Sequence, residues 1–156
     1  MLVVPWFWRI TIFLIVLMLL TPTLFGIHAG LDPETPWFGQ VEEVPFWLRF
    51  WLMWVLFPAF IASLAFLYNS NGARLAAGGD ILSHLPMFVQ MFEVTVGVVA
   101  ILHLIFWGPA FYVLIKERAS VVWKSFYGLW VHWMLFVLAI SLTFDFRDAV
   151  LFVVNS

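Results

Sequence analysis

Four histidines carry most of the chemistry this chain offers, and two stand apart. His103 and His132 each fall near the middle of an apolar stretch that holds no Asp, Glu, Lys or Arg. An ionisable side chain inside a membrane span is costly and is a functional candidate by default. His103 precedes Lys116 by thirteen residues, and His132 follows Ser120 by twelve. At a rise of about 1.5 Å per residue, both imidazoles are expected about 18–20 Å from the same turn. Two imidazoles at one depth on facing helices can ligate the iron of one b-type haem, or hold a metal with a third ligand. Gly128 lies four residues before His132 and Ala100 three before His103, so each has a small neighbour on its own helix face, where a flat macrocycle can approach. The same pattern also suits histidines that hydrogen-bond across helices, with Gly and Ala permitting close packing. His103 and His132 thus stand as candidate haem-iron ligands flanked by Gly128 and Ala100, or as structural donors.

The remaining groups offer less. His28 and His84 fall outside the apolar stretches and are expected at the interface. Glu93, ten residues from His103, is expected about 15 Å away along the axis as a boundary charge. No Ser-His-Asp, paired-carboxylate, phosphate-loop or HExxH pattern is present, so the expectation is a non-catalytic protein. There is no Cys, which removes thiol chemistry and Cys-based zinc sites. A net charge of −2 provides no basic surface for nucleic acid.

The elements that must position these residues follow from composition. Of 156 residues, 65% are hydrophobic and 10% charged, against about 25% charged in a soluble domain. Too few polar side chains remain to coat a soluble fold of this size. Four uncharged stretches (10–27, 50–68, 94–115 and 125–144) each approach the roughly 20 residues that cross a bilayer. Open sheet edges are not satisfied in lipid. The expected fold is therefore all-α: one polytopic membrane domain over 1–156, a four-transmembrane-helix bundle. Its spans are placed at 6–27, 46–68, 92–115 and 123–144, with interfacial segments at 80–91 and 145–153.

Residues 69–79, with Asn-Ser-Asn-Gly and Gly-Gly, read as a turn-rich connection. The short link 116–120 makes the last two spans antiparallel neighbours. Ten Trp are present. Most near span ends fit the headgroup level, whereas Trp47, Trp51 and Trp54 recur at helical spacing as one stripe facing lipid or a partner subunit. Lys and Arg are divided nearly evenly between the two faces, so their bias assigns no orientation.

Glu42-Glu43 before the second span, Trp51 within it, and Asp80-Ile81-Leu82 followed by Leu85-Pro86 are similar to the small membrane subunit of tripartite ATP-independent periplasmic transporters. That resemblance implies a helper subunit of a secondary transporter. The stretch Leu102-His103 followed by Trp107-Gly108 also resembles haem- or copper-linked membrane families. The matched histidines favour a multi-pass accessory subunit of a redox or energy-transducing complex, in a bacterial inner membrane. Its expected partners are the lipid bilayer and other membrane subunits, with haem b as the expected cofactor if there is one.

Overall fold

The computed structural model of the chain describes residue 34 and residues 46–89 and 94–155. The expected span 6–27, His28, Glu42, Glu43 and Glu93 lie outside the described residues. What is described is helical throughout, with no strand among the described residues.

The first rod is composite. It begins as α1 (Phe46–Phe50), widens into a π-helical segment (Trp51–Leu56), resumes as α2 (Phe57–Ser63) and ends in a 3₁₀ turn (Leu64–Phe66). The π segment is marked by the Phe57 N–H donating to the Leu52 carbonyl. It sits immediately ahead of Pro58, whose ring lacks an N–H and would crowd the carbonyl four residues back in a regular α-helix. Arg74 closes the rod's far end, donating from Nε to the Leu67 carbonyl at 2.6 Å and from a terminal nitrogen to the Tyr68 carbonyl at 3.2 Å.

Three longer helices follow: α3 (Asn71–Phe88), α4 (Val96–Glu117) and α5 (Phe126–Asn155). Each begins at a hydroxyl cap that accepts an otherwise orphaned backbone N–H. Ser70 accepts from Ala73 at 2.9 Å, Thr95 from Val98 at 3.4 Å, and Ser125 from Gly128 at 2.9 Å. The segment Val96–Ser120, 25 residues long, is the one helix among the described residues long and apolar enough to cross a membrane. Pro109 lies inside α4, and the helix continues through it.

Side-chain contacts give the register. Gly72 lies against Leu114, Gly79 against Phe106 and His84 against His103, so α3 and α4 run antiparallel. Gly97 lies against Phe152, His103 bonds Asp145, and Tyr127 bonds Glu117, so α4 and α5 are antiparallel as their short link requires. Trp51 meets Phe136, the Ala59 carbonyl accepts from Trp130 Nε1 at 3.0 Å, and Phe66 meets Tyr127, which sets the first rod antiparallel to α5. The shared core of Phe60, Trp107, Leu114, Met134, Leu135 and Leu138 is buried where these helices meet.

Two expectations are corrected here. Residues 71–79 are helix, not a turn-rich connection. Their small side chains let α3 press along α4, so tertiary packing overrides the weak helix propensity of glycine. The segment 145–153 is also not separate, because α5 continues unbroken to Asn155.

Candidate functional site

The helix register brings four titratable side chains from three helices into one buried polar cluster: Asp80 and His84 from α3, His103 from α4 and Asp145 from α5. Each helix contributes through the same local geometry, two polar groups four residues apart and so stacked on one face. These pairs are Asp80 and His84, His103 and Trp107, and Ser141 and Asp145.

His103 is 7% exposed and lies 3.1 Å from Asp145, Nδ1 to Oδ1. Its ring stacks on the Trp107 indole at 3.6 Å between centroids and 13° between planes, so indole and carboxylate together hold its orientation. His84 lies 5.2 Å from His103, centroid to centroid. Its Nδ1 is 2.8 Å from the Asp80 carbonyl and 3.5 Å from Asp80 Oδ1.

The partners assign the tautomers. A carbonyl oxygen only accepts, so His84 Nδ1 carries the hydrogen. The Asp145 carboxylate, facing His103 Nδ1, gives that ring the same assignment. In the neutral rings both Nε2 atoms are then proton acceptors. His103 Nε2, Trp107 Nε1, Ser141 Oγ, Asp145 Oδ2 and Asp80 Oδ1 are all buried and find no hydrogen-bond partner among the described residues. Buried polar atoms left unpaired are costly and mark places where function outweighs stability. Unpaired donors and acceptors around two imidazoles and two carboxylates can take up, hold and release a proton.

Three residues beyond Asp145, Asp148 is 8% exposed and is hydrogen-bonded by Arg147. Burial pushes its carboxyl up to about 6, against the opposing pull of Arg147 and with a further push from Asp145.

The sequence-derived candidates fall in different places. The structure does not bring His103 and His132 together. His103 is level with Asp145, thirteen residues past His132 on α5, a separation of about 20 Å along the axis. The equal-depth expectation counted residues 121–125 as helical rise, but α5 starts only at Phe126. His132 is thus six residues into its helix, while His103 is fourteen from the end of α4. His132 donates from Nδ1 to the Gly128 carbonyl at 2.8 Å and meets the Trp123 ring edge-on at 4.2 Å. That separation leaves no single iron between the two.

Gly128 is small for a different reason: a Cβ there would meet the Val122 carbonyl oxygen at 2.1 Å, where the link folds back over the first turn of α5. Ala100 is buried in the α4 face. Trp51 turns inward to Phe136, edge-on at 6.0 Å, while Trp54 points outward and is 72% exposed. Trp47 lies in α1, and its side chain is outside the described residues.

The sequence reading missed Asp80, His84 and Asp145 as site residues. Asp80 and His84 belonged to a segment placed at the interface, and Asp145 read as a span boundary. The signal that would have found them is the four-residue spacing of polar pairs in otherwise apolar helices. No group of three or more His, Asp or Glu among the described residues has the arrangement of a metal site. No protein-family model, curated protein or solved structure matches the chain.

Proposed function

We propose that this chain is a non-catalytic, multi-pass subunit of an energy-transducing complex in a bacterial inner membrane, and that its buried cluster of Asp80, His84, His103 and Asp145 exchanges a proton within that complex. The observation that carries the reading is the His103–Asp145 pair, a buried imidazole held by a carboxylate, with no partner for its Nε2 among the described residues. Buried His and Asp chains in membrane helices mark proton relays. The outer surface supports a lipid setting. Met53 and Ile61 on the first rod, Ile81 on α3, Ile105 on α4 and Phe146 on α5 are all exposed, so the described helices turn apolar side chains outward around the buried cluster. In this reading the first rod, α4 and the 125–144 part of α5 cross the bilayer, and α3 returns the chain between the first rod and α4, which run parallel to each other. The outward face of Trp54, Phe57 and Ile61 is then the surface offered to lipid and to partner subunits. A haem between His103 and His132 has no part in it.

The test is a pH titration of the purified full-length chain in lipid nanodiscs, followed by infrared difference spectroscopy. A carboxyl or imidazole band that disappears in Asp145→Asn is the expected result. Its absence refutes the proton-exchanging role. For the subunit role, the chain is expected to migrate in native membranes with other proteins at fixed stoichiometry. Migration as a lone species refutes that part.

A further inference from the structure

The cluster is not centred between the two ends of the bundle. His103 is seven residues from the start of α4 and fourteen from its end, about 10 Å against about 21 Å. The longer direction is closed by side chains: Trp107, Ala110 and Leu114 of α4 pack with Leu135 and Leu138 of α5, all fully buried. The shorter direction contains Asp148. It lies between Asp145, level with His103, and Phe152, which lies against Gly97 near the start of α4. On one helix, positions three apart are neighbours, about 5–6 Å between Cβ atoms. Arg147 pairs with Asp148 and is itself partly exposed, so the pair joins a buried carboxyl to the surface.

We propose that Asp148 is the port through which the His103–Asp145 pair exchanges its proton, and that the exchange is one-sided, toward the end of the bundle formed by the α4 N-terminus and the α5 C-terminus. The inference rests on the proton-exchanging reading above. Asp148 takes a proton from water and passes it to Asp145 Oδ2, the oxygen that His103 does not engage. Asp148 returns to its carboxylate, and one proton is added to the His103–Asp145 pair. The charged and titratable groups facing this route are Arg147 and Asp145 on α5, His103 on α4, and Asp80 and His84 on α3. A carboxyl titrating near 6 exchanges readily at neutral pH. Closure of the other direction means that a partner subunit supplies any continuation across the membrane.

The experiment is a rapid pH jump on the full-length chain in nanodiscs, following the infrared band that Asp145→Asn removes. Asp148→Asn is expected to slow its appearance by about a hundredfold, the low end of what a positioned proton donor contributes, while Asp148→Glu, which keeps a titratable carboxyl, slows it less. An unchanged rate in Asp148→Asn overturns the port and leaves the proton-exchanging role standing. Absence of any Asp145-sensitive band refutes that role, and the port with it. Should Asp148→Asn fail to fold, wild-type protein oriented in vesicles still decides. The band is expected to respond at once to a pH step on the α5 C-terminal side only. A prompt response to a step on the opposite side overturns the one-sided route.

Discussion

Two adjacent glycines of α3 give the sharpest test of how the cluster is assembled. A Cβ at Gly79 would lie 2.6 Å from the Phe106 carbonyl oxygen and 3.1 Å from its carbon, whereas a Cβ at Gly78 meets nothing within 4 Å among the described residues. Both contacts at Gly79 are to backbone, which no rotamer change can move aside. Gly79→Ala must therefore push α3 away from α4. Overpacking of this kind costs about 3 kcal/mol at its upper range, and the better helix propensity of Ala returns about 1, leaving a net loss of about 2 kcal/mol. Gly78→Ala incurs no such contact and is expected to stabilise by about 0.5–1 kcal/mol. Neighbouring, chemically identical changes should thus differ in sign. The assay is reversible unfolding in mild detergent followed by circular dichroism. The consequence reaches the site, since His84 is five residues from Gly79 and its ring lies 5.2 Å from His103. Gly79→Ala should therefore also shift the proton titration of the cluster, and Gly78→Ala should not. Equal stability of the two variants would refute the close α3–α4 approach and the cluster geometry built on it.

Three further outcomes are expected. Glu117 accepts from Ser70 Oγ at 2.7 Å, Tyr127 Oη at 2.7 Å and the Gly72 N–H at 3.1 Å, tying α3, α4 and α5 at one end. Glu117→Ala should cost about 1–2 kcal/mol, with water replacing part of the loss at this half-buried site; a melting temperature equal to wild type would contradict the tie. Trp130→Phe keeps an aromatic ring but removes the donor to Ala59, and should cost about 1–2 kcal/mol in the same unfolding assay; no change would show that this hydrogen bond holds nothing. The third concerns pH. Asp148 is raised from 3.8 to about 6 by burial, so the folded state binds this proton more tightly than the unfolded chain. Its contribution is complete below about pH 4 and is lost as pH rises through about 6. The shift corresponds to about 3 kcal/mol, reduced by solvent screening to about 1–2 kcal/mol. Asp148→Asn should flatten stability over that window, and a slope as steep as wild type would reject the assignment.

The all-helical class and the last two helices were readable because apolar runs bounded by charge report length directly: the stretch 94–115 became α4, and the short link 116–120 enforced its antiparallel packing on α5. The site was half readable. His103 stood out because a lone imidazole in an uncharged run is conspicuous. Its partners did not, since Asp145 reads as a boundary charge until α4 is laid beside it, and His84 reads as interfacial until 71–79 is known to be helix. Turn-forming residues on α3 are ambiguous for a physical reason: Gly72 and Gly79 lower helix propensity in isolation but permit the close approach that stabilises α3 against α4.

The misplaced pairing of His103 with His132 came from a different source. Depth was measured through a link whose residues 121–125 contribute no helical rise, which accounts for part of the thirteen-residue separation; the register of α5 against α4 supplies the rest. Contacts between helices do not suffer from such accumulated error, because each helix carries its own internal spacing. Asp80 and His84, His103 and Trp107, and Ser141 and Asp145 are all four apart, and that spacing holds whatever the connecting links do. In an apolar helix, a second polar group four residues from the first stacks two costly side chains on one face. Three such pairs on three successive helices are most economically satisfied by facing one another. In chains of this composition, the spacing within each helix is therefore a better guide to a buried polar site than the depth of any single residue.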